Sequence, residues 1–248
     1  MGAPGCDDAP VVTMKYGQDA RDFTLVMPYY ENPRFLAHQI RHWNMLSLRK
    51  HLHVNLVDDG SPRNAAANVV ATFVPAVDMR LFRIEIDVRW NWLAARNIGV
   101  HKATTEWVML TDMDHVLSNE TLETLVRGQH DPSIIYRFSR SEHHGADIHP
   151  HPNSWFMTRD MFWKVGGYDE ALSGFYGTDG EYRRRCAATA KVQIMADALI
   201  RHEYIQDSST TLYKRKQPED AEVKRKIRAR GPGWKPRTLS FPYHEVKL

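Results

Sequence analysis

Along the chain, short apolar runs stop abruptly at polar clusters, and they alternate with stretches whose apolar residues lie three and four apart. "FTLVMP" (residues 23–28) reads as a strand ended by proline. "PRFLAHQIRHWNMLSL" (33–48) carries apolar residues at 35, 36, 40, 43 and 46 behind an early proline, which predicts a helix. "LHVNLVDDGSP" (52–62) is a strand running into two aspartates. "RNAAANVVATF" (63–73) is a helix and "RLFRIEID" (80–87) a strand. "NWLAARNIGVHKA" (91–103) is a helix and "EWVMLTD" (106–112) the next strand. Strands and helices in alternation predict an α/β fold, a mostly parallel central sheet flanked by helices.

Further along, "SIIYRFSR" (133–140) and "NSWFMT" (153–158) read as strands joined by the His-rich loop "SEHHGADIHPHP". "RDMFWKVGGYDE" (159–170) is a short helix closed by Gly-Gly. "GFYGTDGEYRRRCAATA" (174–190) is a Gly-rich loop entering a helix, and "KVQIMA" a further strand. No internal repeat appears. The expected organisation is an irregular leader over 1–20, a catalytic domain over 21–212, and a tail over 213–248 packed on the domain or extending from it.

Polar clusters at the strand ends change the picture from scaffold to site. "PYYEN", "VDDGS" and "TDMDH" follow the first, second and fourth of these strands. In open α/β sheets, ligands bind outside the carboxyl ends of the strands. In "WVMLTDMDHVL", Asp112 and Asp114 are two apart at the end of an apolar run. Ionised carboxylates there need compensation. A metal ion, a hydrogen-bond network or open solvent can supply it; hard cations such as Mn2+ and Mg2+ prefer oxygen ligands, and Mg2+ commonly bridges carboxylates to substrate phosphates.

Charge matters mainly through its distribution. The net charge is +3, but between Lys214 and Arg237 ten Lys/Arg face three Asp/Glu, a local balance of +7 that leaves −4 on the rest. Such a tail fits an anionic partner or a solvated surface segment. Two cysteines, Cys6 and Cys186, make no disulfide framework. No run reaches the length of a membrane span, and the start lacks a signal-peptide pattern. A soluble, cytoplasmic protein is the expectation.

The ordered set "LVMPYYENP", "LVDDGSP", "NWLAARNIGVHKATTEWVMLTDMDH", "VGGYDE" and "YGTDGEYRRR" resembles the GT-A fold glycosyltransferases, in particular the family-2-like inverting enzymes, over roughly residues 22 to 205. The resemblance implies the Rossmann-like nucleotide-diphospho-sugar transferase fold and a divalent metal, Mn2+ or Mg2+. It places Pro28, Tyr29 and Glu31 in the loop lining the nucleotide pocket. Asp58 or Asp59 matches the acid that reads base or ribose, and Arg96 and Asn97 the helix facing the donor. Asp112 and Asp114 match the metal motif, with Asp114 the direct ligand and Asp112 also near the donor. His202 matches a late metal-shell histidine of some members. Asp179 matches the catalytic base and Glu181 a trailing acid; Thr178 stands where relatives carry Glu, which puts acceptor contacts in question. A UDP-sugar is expected over a GDP-sugar.

Two acceptors follow from different features. The basic tail suggests a 5-hydroxymethylated pyrimidine in DNA, as in virus-encoded enzymes that glucosylate their own genomes. A polysaccharide or cell-envelope sugar is the other. The His-rich loop, with His143, His144, His149 and His151, reads as acceptor-facing rather than as a zinc site. A non-catalytic nucleic-acid-binding module would explain the tail but not three acidic strand ends. A nucleotidyltransferase would need a Gly-rich phosphate loop where "PYYENP" stands. A hydrolase would need opposed carboxylates, whereas residues two apart on an extended chain point the same way.

Overall fold

A computed structural model describes residues 9–142, 144–175, 177–202 and 218–248. Among them, one sheet runs in the order β1-β10-β7-β9-β5-β2-β3-β4-β11. The strands are β1 (Val11–Val12), β2 (Phe23–Tyr29), β3 (Leu52–Asp58), β4 (Asp78–Ile84), β5 (Trp107–Leu110), β6 (His115–Leu117), β7 (Ile134–Glu142), β8 (Asp147–Ile148), β9 (Trp155–Thr158), β10 (Lys191–His202) and β11 (Tyr243–Val246). The helices are α1 (Pro33–Met45), α2 (Ala66–Val70), α3 (Trp92–His101), α4 (Asn119–Arg127), α5 (Arg159–Val165), α6 (Asp179–Thr189) and α7 (Pro218–Arg228).

β5, β2, β3 and β4 are parallel neighbours, as are β7 and β10. β9 is antiparallel to both β5 and β7 and joins the two parallel groups. The alternation of side chains along a strand splits the core between the sheet's faces. Phe23, Leu25, Met27 and Tyr29 of β2 pack with Leu36, Ile40 and Trp43 of α1 and with Leu122 and Leu125 of α4. Val26 points the other way, towards Leu93 and Val100 of α3, Phe162 of α5 and Tyr182 of α6. Strands covered on both faces bury every other residue twice over, so β2 reads as an unbroken apolar run.

Several boundaries depart from the sequence reading. α2 covers only Ala66–Val70 within the expected 63–73, because Asp58 Oδ2 accepts the Ala66 N–H (2.8 Å) and sets the helix start there. The stretch 9–20, expected to be irregular, pairs Val11 and Val12 with Ile194 and Met195. α4, for which no element was expected, begins at a Ser118 cap that accepts the Thr121 N–H. Past residue 213, the basic segment is no free arm where it is described: α7 buries Val223, and β11 pairs antiparallel with β4. Residues 213–217 of that segment lie outside the described residues.

α3 lies tight on the sheet. A Cβ at Gly99 would sit 2.3 Å from Val26 Cγ1. Gly99→Ala is therefore expected to cost about 1–3 kcal/mol through overpacking, measured by urea unfolding; an unchanged midpoint would mean that the contact relaxes freely. His130 packs among Trp107, Tyr136 and Phe156. Burial first, then the Arg21 charge, pushes its imidazole down to about 3. The unfolded chain thus binds one more proton than the fold between about pH 6.5 and 3. Stability should fall with acidification across that window, by up to about 1.4 kcal/mol per pH unit. His130→Phe should show a shallower slope, and an identical one would refute the assignment.

Candidate active site

The crevice lies at the carboxyl ends of the parallel strands, where the chain turns after β5. The turn 112–115 is tied by the His115 N–H donating to the Asp112 carbonyl (3.1 Å). Gln39 of α1 clamps it from below, its Nε2 donating to the carbonyls of Met113 (2.7 Å) and His115 (2.6 Å). Gln39 is 1% exposed on the otherwise apolar stripe of α1, and a polar residue in such a stripe is the signal the sequence offered.

Arg96 organises the centre. It has no exposed surface; its Nη1 donates to Asn153 O (2.8 Å) and Tyr168 Oη (3.0 Å), and its Nη2 bonds Asp112 Oδ1. His151 Nε2 lies 3.4 Å from the other Asp112 oxygen. Burial, then the charges of Asp114 and Asp179, push the Asp112 carboxyl upward, against the opposite pull of Arg96 and His115. Asp114 Oδ1 lies 2.8 Å from His115 Nδ1, and His115 Nε2 lies 3.2 Å from Arg140 Nη1. Asp179, the first residue of α6, accepts from Asn153 Nδ2 (3.1 Å). Asn153 thus joins the two acidic centres, bonding Arg96 through its carbonyl and Asp179 through its amide.

The remaining expected residues divide. Asp58 is engaged in the fold, its Oδ1 accepting the Ser61 N–H and its Oδ2 the Ala66 N–H. Asp59 is 4% exposed, with Oδ1 buried and without a hydrogen-bond partner among the described residues. Burial, then Asp58 and Asp87, hold its carboxyl well above the usual carboxylate range, although the Asn91 N–H bonds it. Both amide atoms of fully buried Asn91 also lack partners among the described residues. Glu31, at φ 49°, accepts from the Arg63 and Asn64 N–H groups and both their side chains. Those bonds outweigh burial and hold its carboxyl low. Pro28 pairs with Val57 within the sheet, and the Tyr29 hydroxyl donates to Asn64 O. Asn97 does not reach the crevice: its Nδ2 donates to Tyr168 O and Glu170 Oε1, and its Oδ1 accepts the Tyr168 N–H.

Glu181 is locked by Arg185 and Arg230, which hold its carboxyl low against burial. The backbone of His202 pairs with His115 and Glu142, beside the acidic turn, but its side chain lies outside the described residues. Of the His-rich loop, His143 lies outside the described residues and His144 and His149 are exposed. His151 alone of the three described reaches the acids. Sequence reasoning missed Gln39, Asn153 and Tyr168 as site residues; it placed His151 in an acceptor-facing loop, and nothing in the local pattern distinguished it from its neighbours.

The profile of Glycosyl transferase family 2 matches residues 24–192. No curated protein matches the chain. Among solved structures, S. aureus TarS 1–349 in complex with UDP-GlcNAc is similar at TM-score 0.66 and 14% identity, over 83% of this chain and 65% of that one. Mannosyltransferase PcManGT from Pyrobaculum calidifontis, in complex with GDP-Man and Mn2+, is similar at 0.62 and 17%, over 88% and 68%. GalNAc-T7 with UDP, GalNAc and Mn2+ is similar at 0.59 and 14%, over 82% and 48%. The chain spans 60–65% of the TarS 1–349 chains it matches. At these identities the likeness is one of fold.

Arg96→Met should destabilise the protein by about 1–3 kcal/mol, since it leaves the Asn153 carbonyl without its donor and Asp112, whose side chain is 35% exposed, without its cation. Denaturant unfolding measures this; a loss under 1 kcal/mol would show that the pair is not what holds the turn.

Proposed function

We propose that this chain, which belongs to glycosyl transferase family 2, moves a sugar from a UDP-sugar to a carbohydrate hydroxyl in the crevice around Asp112, Asp114 and Asp179. The observation that carries this reading is electrostatic. Burial first, then the charges of Asp114 and Asp179, push the Asp112 carboxyl up, and Arg96, which touches it, does not bring it back down. A group of acids short of positive charge suits a divalent cation, and oxygen donors suit Mn2+ or Mg2+. Among the described residues no three His, Cys, Asp or Glu groups are already assembled as a metal cage. Asp112 and Asp114 would hold the ion, and it would supply neutralisation of the charge growing on the leaving diphosphate.

The chain's own residues divide the remaining work. Arg96 holds Asp112 in orientation, and Gln39 fixes the backbone of the turn that presents Asp114. Asn153 donates to Asp179 Oδ1 and leaves Oδ2 to take the proton of the acceptor hydroxyl. As that proton leaves, the acceptor oxygen bonds the anomeric carbon and the diphosphate oxygen departs with the bonding electrons. One such displacement inverts the anomeric centre. Asp59 and Asn91, buried with unpartnered polar atoms, are the groups that would read the base.

The carbohydrate acceptor has more support than DNA. Arg230 is engaged by Asp169 and Glu181, and Arg225 by Glu222, which weakens the basic segment as a phosphate ligand. The groove beside the site is lined by Arg140, Glu142, Asp147, His149 and Pro150, and its two carboxylates disfavour a phosphate backbone. Lys224, Arg228, Lys235 and Arg237 remain exposed. A low-salt shift assay with duplex DNA tests them, and tight retention would move the acceptor to DNA.

Titration calorimetry with UDP and GDP, with Mn2+ and with chelator, tests the donor site. UDP should bind only with metal, and Asp114→Asn should weaken it at least tenfold. Asp179→Asn should bind UDP as the wild type does while losing about 10²–10⁴-fold in transfer. Metal-independent binding by a folded Asp114→Asn would overturn the reading.

A further inference from the structure

Residues 230–240 lie beyond the span matched by the family, yet they close around the supports of the site. Arg230, 14% exposed, donates to Asp169 Oδ2 and Glu181 Oε1, both at 2.6 Å, and its guanidinium lies 3.5 Å from the Trp234 ring centroid. The Arg237 N–H donates to Asp169 Oδ1 (3.0 Å), and its carbonyl accepts the Glu170 N–H (2.8 Å). The Glu170 carboxylate, 3% exposed, receives the Leu239 N–H (2.8 Å), the Ser240 N–H (2.7 Å) and the Ser240 hydroxyl (2.6 Å). Asn97 Nδ2 adds a fourth donor at 2.8 Å. A buried carboxylate met by four donors is held in place by hydrogen bonds, each of them charge-assisted.

The same segment accounts for the Gly-Gly pair. Gly166 and Gly167 have φ of 98° and 65°, where only glycine is at ease. A Cβ at Gly166 would lie 2.9 Å from Pro236 Cγ, and one at Gly167 would lie 2.9 Å from Asn97 Oδ1 and 3.2 Å from Thr238 Cγ2. The glycines therefore serve the turn and also the close approach of residues 236–238.

From Glu170 a continuous set of bonds leads to the acidic turn. Asn97 grips Glu170 and both backbone groups of Tyr168. The Tyr168 hydroxyl accepts from Arg96 Nη1, and Arg96 Nη2 bonds Asp112. A guanidinium is a rigid planar fork, so a shift at one nitrogen is transmitted to the other. We infer that residues 230–240 form a strap that positions Asp112 through Glu170 and Arg96, with Glu170 as the positioning residue. The inference rests on the reading of Asp112 as a carboxylate of the metal-dependent donor site.

The test uses the full chain and two readouts. In Glu170→Gln and in Ser240→Ala, amide hydrogen exchange should speed up at 166–171 and also at 112–115, while β2 and β3 keep wild-type rates. The Mn2+ concentration that half-saturates UDP binding should rise at least fivefold, and Ser240→Thr, which keeps the hydroxyl, should restore both. Ser240→Ala removes one hydroxyl and serves if Glu170→Gln does not fold. Faster exchange confined to 166–171 and 237–241, with 112–115 at the wild-type rate, would overturn the strap and leave a purely structural clasp. If the wild type binds no nucleotide with any metal, the donor-site reading fails, and the exchange pattern still decides the strap.

Discussion

The contact of buried Arg96 with half-buried Asp112 is the constraint to which the rest of the site answers. A guanidinium with no exposed surface is costly unless neighbours compensate it. Burial weakens its hold on the proton; Tyr168 and Asp112 more than offset this and hold it above its ordinary range. Its partners come from the end of β5, the loop before β9 and the turn after α5. One charged side chain on α3 thereby links the packing of the sheet to the geometry of the acidic turn.

The surroundings of the acids sort them by task. Glu31 and Glu181 are met by N–H groups or arginines that hold their carboxyls low, and Asp58 and Glu170 likewise receive several donors. These carboxylates tie loops and termini to the domain. Asp59 and Asp112 are held high, because burial and neighbouring acids exceed the compensation within reach. Groups left in that state are candidates for chemistry or ligand contact. In "DDGS" the division falls between adjacent residues: Asp58 caps α2, while Asp59 keeps an unpartnered oxygen.

Much of this was legible in the chain. Two competing periods, two residues and three to four, mark where strands and helices alternate, and the polar residue types show which strand ends carry acids. Asp112 and Asp114 stand out on these grounds, and Asp179 through the family resemblance. α4 and β11 were not legible: α4 lies in a stretch for which no element was expected, and β11 is a four-residue partner of β4 inside a segment dominated by charge. Local pattern could not separate the roles of Asn97 and Arg96 either. They are adjacent on one helix and equally buried, yet Asn97 grips the Tyr168 backbone and Arg96 reaches Asp112.

The sequence by itself determined the class of fold, the strand ends at which polar clusters gather, and the acids in them. These follow from periodicity and residue type, which are local properties. Only the tertiary structure decided which acids are compensated, which histidine of the loop approaches Asp112, and that residues 230–240 close on Asp169 and Glu170. Compensation of a charge depends on donors distant in sequence, and for Glu170 the nearest of them lie 69 and 70 residues away. No short window of the chain contains that information.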